Sequence, residues 1–179
     1  PEEVLTGSTG VIGHPLPMEK VITGISKAVK ALDPNGGHDA VQAIMTTDTF
    51  PKESSASFTV NGKIVTIGGM AKGSGMIHPN MATMISIMTT DASISSAFLK
   101  ELLKKTADKS FNRISIDGDT SVCDKVLILA NGLSGTEEIV PGTDAARHFE
   151  EALLKVSVSL AKKLASDGEG ATKLIEVKV

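Results

Sequence analysis

The sequence predicts an α/β protein with sheets covered by helices, and three observations predict it. Apolar residues recur at helical spacing over 18–32, 95–109 and 143–165. Short β-rich runs stand at 57–60, 63–67, 83–88, 113–116 and 125–130. The two kinds of segment alternate along the chain, which is the pattern of layered α/β folds.

The opening stretch, Pro1 to Pro17, is rich in glycine and proline and contains Gly7-Ser8-Thr9-Gly10-Val11-Ile12-Gly13. A helix is expected from Met18 to Leu32, with Val21, Ile22, Ile25, Val29 and Leu32 on one face. Asp33-Pro34-Asn35-Gly36-Gly37 stops it. A short helix is expected near Asp39 to Met45, followed by the polar loop Thr46 to Lys52. Ser57 to Val60 and Lys63 to Ile67 read as paired strands, because Asn61-Gly62 is the favoured two-residue hairpin turn. A glycine loop is expected from Gly68 to Gly75 and a buried strand from Thr83 to Met88. Ser95 to Lys109 reads as an amphipathic helix with Phe98, Leu99, Leu102 and Leu103 inward. Arg113 to Ile116 and Lys125 to Ala130 read as strands around the turn Asp117-Gly118-Asp119. Thr143 to Ala165 is a long helix that buries Phe149, Leu153, Val156, Leu160 and Leu164. Asp167 to Lys173 is a loop, and Leu174 to Val179 a final strand.

With 179 residues the chain holds one domain or two small ones and needs no metal or disulfide staple. Net charge is -3, without a cluster of lysine or arginine. Trp and Tyr are absent and Phe numbers 5, so neither a phosphate-binding face nor a base-stacking platform is expected, and nucleic acid is excluded as a partner. Cys123 is the single cysteine, which rules out an intrachain disulfide and fits a reducing compartment, so the expected location is cytoplasmic. No apolar run approaches a membrane span. Pro1 is no initiator and Val179 falls inside an expected strand, so the chain is expected to be a central catalytic domain, a fragment of a longer protein.

Chemistry concentrates in residues 72–91, Lys72-Gly-Ser-Gly-Met76-Ile-His78-Pro79-Asn80-Met-Ala82-Thr83-Met-Ile-Ser-Ile-Met-Thr89-Thr90-Asp91. A glycine loop leads to small Ala82 and then to the hydroxyl of Thr83 at the start of an apolar run. Glycines allow the backbone strain that self-cleavage needs. If the Thr83 hydroxyl attacks the Ala82 carbonyl, an ester forms, water hydrolyses it, and Thr83 becomes a new N-terminus. Its α-amine, which titrates near pH 7.7–8.0, then serves as base for its own hydroxyl. The competing reading takes Thr83 as a β-branched residue of an ordinary strand.

An acyl-transfer oxyanion needs aimed donors, and Ser8-Thr9-Gly10 is a candidate, with an ordinary Ser/Thr-Gly turn as the rival. Lys72 is a candidate for holding a carboxylate or tuning the amine, Glu169 for binding a substrate ammonium or steering a proton, and Thr46 with Thr47 for lining a pocket; each is also readable as a solvated loop residue. His14, His38, His78 and His148 lack metal-ligand spacing, so no metal is expected. Gly7, Gly10 and Gly13 do not make a dinucleotide fingerprint, and no Walker lysine is present, so no cofactor is expected. Asp117-Gly118-Asp119 reads as a turn and Cys123 as a core or near-core residue.

Four motifs in order make a more specific pattern than any part. They are Ser8-Thr9-Gly10-Val-Ile-Gly13-x-Pro15-Leu-Pro17, Met45-Thr46-Thr47-Asp48-Thr49-x-Pro51-Lys52, Gly73-Ser-Gly-Met-Ile-His78-Pro79-Asn80-Met-Ala82-Thr83-Met, and Asp167-Gly168-Glu169-Gly170-Ala171-Thr172-Lys173. Together they closely resemble the glutamate N-acetyltransferases of arginine biosynthesis, also called ornithine acetyltransferases. The resemblance implies cleavage between Ala82 and Thr83, Thr83 as nucleophile, and Thr9 with Gly10 as oxyanion hole. It implies substrate contacts from Thr46, Lys72, Thr83 and Glu169. It further implies a four-layer αββα sandwich of the N-terminal-nucleophile type, cleaved into two chains per protomer and assembled as a homo-oligomer. The implied reaction is ping-pong transfer of acetyl from N-acetylornithine to glutamate, and some members also accept acetyl-CoA. Family members extend further at both ends, so their C-terminal substrate residues have no counterpart here.

Two alternatives remain open on sequence. One is a self-processing aminopeptidase or amidase on similar architecture, in which water rather than an amine resolves the acyl-enzyme. The other is an uncleaved, non-enzymatic domain that keeps the fold.

Overall fold

The structure is a computed structural model that describes residues 4–11, 13–78 and 84–178. Its elements run α1 (Met18–Lys30), α2 (Gly37–Ile44), β1 (Lys52–Val60), β2 (Lys63–Lys72), β3 (Ile85–Thr90), α3 (Ser96–Asp108), a 3-10 turn (Phe111–Arg113), β4 (Lys125–Ala130) and α4 (Asp144–Ser166).

The four strands form one sheet in the order β1-β2-β3-β4. β1 and β2 are the expected hairpin. Asn61 at φ 49° and Gly62 at φ 79° both take the left-handed conformation that such a two-residue turn requires. The pairing runs from Val60 opposite Lys63 to Lys52 opposite Ala71, longer than the alternation in the sequence suggests. β3 lies antiparallel to β2, and β4 parallel to β3. A parallel pair needs a crossover, and α3 supplies it.

Strand alternation sends Val65, Ile67, Ala71 and Met88 to the face covered by α4. There they meet Phe149, Leu153, Val156 and Leu160, which recur at helical spacing along α4 and are fully buried. Phe58 adds an edge-on contact to Phe149, with ring centroids 6.1 Å apart. Each covering helix begins on a side-chain cap: the Ser95 hydroxyl accepts the Phe98 N–H at 3.3 Å, and the Thr143 hydroxyl the Ala146 N–H at 3.2 Å.

The opposite sheet face is only partly covered. α2 lies over it through buried Val41, leaving a groove bordered by Ser55, Gly68, Met70 and Ile87. α1 buries nothing: Ile25 is 60% exposed and Val29 63%, although both lie on the apolar stripe read from the sequence. Among the described residues no helix is long and apolar enough to cross a membrane.

Several expectations need correction. Gly68 to Lys72 are not loop but the second half of β2, because the ladder to β1 and β3 continues through them. The loop starts at Gly73. The expected strand at Thr83 to Met88 runs from Ile85 to Thr90, and Thr83 lies outside the described residues. Arg113 to Ile116 is no strand: the 3-10 turn occupies its start, and the Ile116 N–H donates to Ile77 O at 2.7 Å outside the sheet. Leu174 to Lys178 joins no ladder, and Ile175 is 82% exposed. β-propensity cannot make a strand where no edge accepts it. Among the described residues there is one sheet, so the expected αββα layering goes beyond what they contain.

Candidate active site

Lys72 closes β2 and stands opposite Ile85, the first residue of β3. Ile85 stands opposite Lys125, the first residue of β4. One row across three strands thus defines a rim of the sheet. The start of β3 comes two positions after Thr83 in the sequence. Thr83 and Ala82 lie outside the described residues, together with Pro79, Asn80 and Met81.

On sequence Lys72 falls inside the expected glycine loop, 68–75. It is the last residue of a strand and only 3% exposed. Burial pushes its pKa down, the Asp48 carboxylate works against that, and the Lys52 ammonium adds to the depression.

Beside it lies a buried ion cluster. Lys52 Nζ contacts Asp48 Oδ1 at 2.6 Å and Asp167 Oδ2 at 2.5 Å, and the Lys52 side chain is entirely buried. Asp48 Oδ1 also accepts the Gly73 N–H at 2.6 Å, and its Oδ2 the Thr46 N–H at 3.1 Å. Asp167 accepts from the Thr49 N–H at 2.9 Å and from the Thr49 hydroxyl. Burial alone would raise both carboxyl pKa values. For Asp48 the Gly73 N–H, Lys52 and the Thr46 N–H outweigh it; for Asp167 Lys52 and Thr49 do, so both end below the ordinary range.

The glycine loop is held from two further sides. The Ser74 hydroxyl donates to Asp167 O at 2.8 Å, and the Glu169 N–H donates to Ser74 O at 2.7 Å. A Cβ at Gly75 would come within 2.8 Å of Glu169 Oε2, so glycine there lets the Glu169 carboxylate lie over the loop. Asp117 accepts the N–H groups of Met76 at 2.5 Å and Ile77 at 3.1 Å. Met76 itself sits at φ 52°, a left-handed conformation that costs a non-glycine residue energy and is held here by that carboxylate. Asp117 also accepts the Asp119 N–H at 3.1 Å, and Gly118 takes φ 82°, so 117–119 is the expected turn, with its carboxylate turned to the glycine loop. Among the described residues no group of His, Cys, Asp and Glu stands together as a metal site.

The structure brings the segments carrying Thr46, Lys72 and Glu169 onto one cluster. Thr46 and Glu169 are exposed at its surface. Thr47 is exposed next to Thr46. Half-buried Thr9 and exposed Gly10 arrive separately: their segment passes Lys125, whose Cδ would lie 3.3 Å from a Cβ at Gly7. That places Gly7, and not Thr9 or Gly10 themselves, beside the head of β4. The groove under α2 borders none of these candidates.

Sequence reading missed Asp48, Lys52, Asp167 and Asp117 as structural partners. Asp48 and Lys52 were visible as an i,i+4 pair of opposite charge inside the Thr46 motif. Nothing in the sequence showed that the lysine would be buried. Asp124 was also missed. Its Oδ1 accepts the Met84 N–H at 2.5 Å, while its Oδ2 is buried with no partner among the described residues. Burial raises its pKa, and the Met84 N–H and Lys125 only partly offset that.

A family model described as the ArgJ family matches residues 1–179. A protein of Symbiobacterium thermophilum called arginine biosynthesis bifunctional protein ArgJ is 59% identical over 179 residues, 100% of this chain and 44% of its own length. The protein of the same name from Thermotoga neapolitana is 56% identical over 178 residues, 99% of this chain and 45% of its own. A crystal structure of arginine biosynthesis bifunctional protein argJ from Bacillus halodurans aligns with 48% of this chain and 39% of that one, at 38% identity and a TM-score of 0.43. The chain therefore spans less than half the length of the curated relatives it matches.

Proposed function

Because the chain belongs to the ArgJ family, we propose that it forms the catalytic centre of a self-processing glutamate N-acetyltransferase of arginine biosynthesis. The observation that carries this reading is the convergence of Lys72, Glu169 and Thr46 on the sheet rim where β3 begins, two positions after Thr83.

Cleavage between Ala82 and Thr83 leaves Thr83 with a free amine and a hydroxyl. The amine takes the hydroxyl proton as the oxygen attacks the acetyl carbonyl of N-acetylornithine. Thr9 and Gly10 donate to the developing oxyanion. Collapse breaks the amide C–N bond, the proton passes to the leaving amine, ornithine departs, and acetyl-Thr83 remains. Glutamate then attacks the ester through its own amine, and N-acetylglutamate leaves with Thr83 regenerated. Acetyl-CoA is a second donor for the same acyl-enzyme. Lys72 pairs with the substrate carboxylate, and its burial strengthens that attraction relative to water. Glu169, exposed over the glycine loop, receives a substrate ammonium, and Thr46 lines the same entrance.

The reading includes a second sheet, supplied by sequence outside this chain, on the open face where Ile64 is 65% exposed. Together with the exposed stripe of α1, that face supports the αββα layering. Cleaved α and β chains assemble into a cytoplasmic homo-oligomer.

Thr83→Ala in the full-length protein is expected to abolish both cleavage and transfer. Intact-mass measurement would show one uncut polypeptide in place of two pieces, and a variant that still parts at Ala82 would overturn the mechanism. Thr9→Ala is expected to leave the fold intact and to slow acyl transfer by about 10² to 10³, the usual effect of losing one oxyanion donor. Unchanged turnover removes Thr9 from that role. Ornithine release from N-acetylornithine independent of glutamate would favour a hydrolase instead.

A further inference from the structure

We propose that Asp48, Lys52 and Asp167 are positioning residues of the acceptor site: one buried ammonium clamped between two carboxylates holds the three segments that carry Thr46, Lys72 and Glu169 in a single register. It rests on the acetyltransferase reading for the identity of the ligand, and on the geometry alone for the clamp.

The bonding is unusually economical. Asp48 closes its own loop, between α2 and β1, through the Thr46 N–H, and reaches the glycine loop through the Gly73 N–H, next to Lys72. Asp167 reaches that same α2–β1 loop through Thr49, and its own carbonyl takes the Ser74 hydroxyl. Glu169 follows two positions later and bonds back to Ser74 O. Lys52 is the joint between the two carboxylates. Removing three charges from water is costly, so a chain that needed only to pack here would do as well with apolar side chains. What the ions add is direction: each carboxylate fixes backbone N–H groups at set distances, which packing does not.

The cluster also sets the field at Lys72. Strand alternation puts Lys52, opposite Ala71, on the α4 side of the sheet and Lys72 on the other. The charged groups that act on Lys72 are Asp48, from the loop between α2 and β1, and Lys52 at the head of β1. Asp48 favours the charged form of Lys72 and Lys52 opposes it, so the two partners act on it with opposite sign.

That opposition supplies a test. Asp48→Asn removes the charge and keeps one oxygen, which can hold the Gly73 N–H but not the Thr46 N–H that bonds the other carboxylate oxygen. Lys52→Met removes the cation. Asp167→Asn disturbs the pair without facing Lys72. Full-length cleaved enzyme carrying each substitution would be labelled with acetic anhydride across a pH series, and acetylation of Lys72 followed by mass spectrometry. The midpoint for Lys72 is expected to fall in Asp48→Asn, to rise in Lys52→Met and to stay close to wild type in Asp167→Asn. A merely loosened fold would move all three in the same direction, and that result overturns the proposal. In steady-state assays Asp48→Asn and Asp167→Asn are expected to raise the KM for glutamate at least about tenfold with a smaller loss of kcat, as for lost ground-state positioning. Unchanged KM in both counts against the clamp. Where a single variant fails to fold, the pair Asp48→Asn with Lys52→Met removes both charges together. It is expected to fold and keep a raised KM, and a wild-type KM in that pair overturns the proposal. A wild-type enzyme that moves no acetyl group refutes the reaction assigned above, while the labelling midpoints still decide the clamp.

Discussion

Gly69 stands in β2 with its hydrogens toward α4, opposite Met88. A Cβ there would lie 2.7 Å from Met88 Cγ, 3.2 Å from Leu160 Cδ1 and 3.3 Å from Val156 Cγ1. Three walls close on one atom, and two of them belong to a helix that cannot retreat without opening the core. Gly69→Ala is therefore expected to destabilise the fold by about 1–3 kcal/mol, the range for overpacking. Its neighbour Gly68 has nothing within 4 Å of the same position and serves as control. Gly68→Ala should cost little, since alanine is the stiffer residue in the unfolded chain and meets no obstacle in the folded one. Urea denaturation of both variants checks this, and equal midpoints would show that α4 yields freely. The two adjacent glycines look alike in sequence and were read together as flexible loop. One of them is there because helix and sheet approach too closely for a side chain.

At the scale of elements, what the sequence made legible was whatever local periodicity determines. α4 and α3 were readable because their apolar residues repeat at helical spacing and both find a core to bury against. The β1–β2 turn was readable because Asn61-Gly62 accepts left-handed backbone. α1 was readable as a helix but not as an unpartnered one: periodicity announces an apolar face and says nothing of what covers it. Arg113–Ile116 and Leu174–Lys178 form no strand for the matching reason. A strand is completed by a neighbour far away in sequence, and β-prone residues without an edge stay irregular. The site divides the same way. Asp48 and Asp167 lie in the same motifs as Thr46 and Glu169, yet nothing in those motifs shows that their carboxylates join the segments. Asp48 and Asp167 meet at Lys52 across more than 100 positions, and no pattern in a single chain reveals that pairing.

Over the whole molecule, charge links stability to the site. Asp48, Asp167 and Asp117 all ionise more readily folded than unfolded, through N–H donors and, for the first two, Lys52. Glu150 does so through Lys105 and Lys109. A carboxyl whose folded pKa is depressed contributes stability that is full above its unfolded value and lost as pH falls through the folded one. Asp124 works in the other sense, because burial raises it, so its contribution is present at low pH and fades as pH rises. Exposed Glu176 is lowered in the same way by Lys162, so five carboxyls against one set the sign. The urea midpoint is expected to stay nearly level from neutrality to about pH 5 and to fall steeply below about pH 4, where unfolded carboxylates begin to take up protons. Three of the five depressed groups hold the glycine loop or the segments beside it, so acid should release the site as it weakens the fold. The variant carrying Asp48→Asn with Lys52→Met should descend less steeply than wild type, having lost one of the linked carboxylates and the cation that depresses the other. Denaturation midpoints measured from about pH 2 to pH 7 decide it. A wild-type midpoint that holds level or climbs on the acid side would mean that these carboxylates gain nothing from folding, and would leave the buried lysine without a stabilising role.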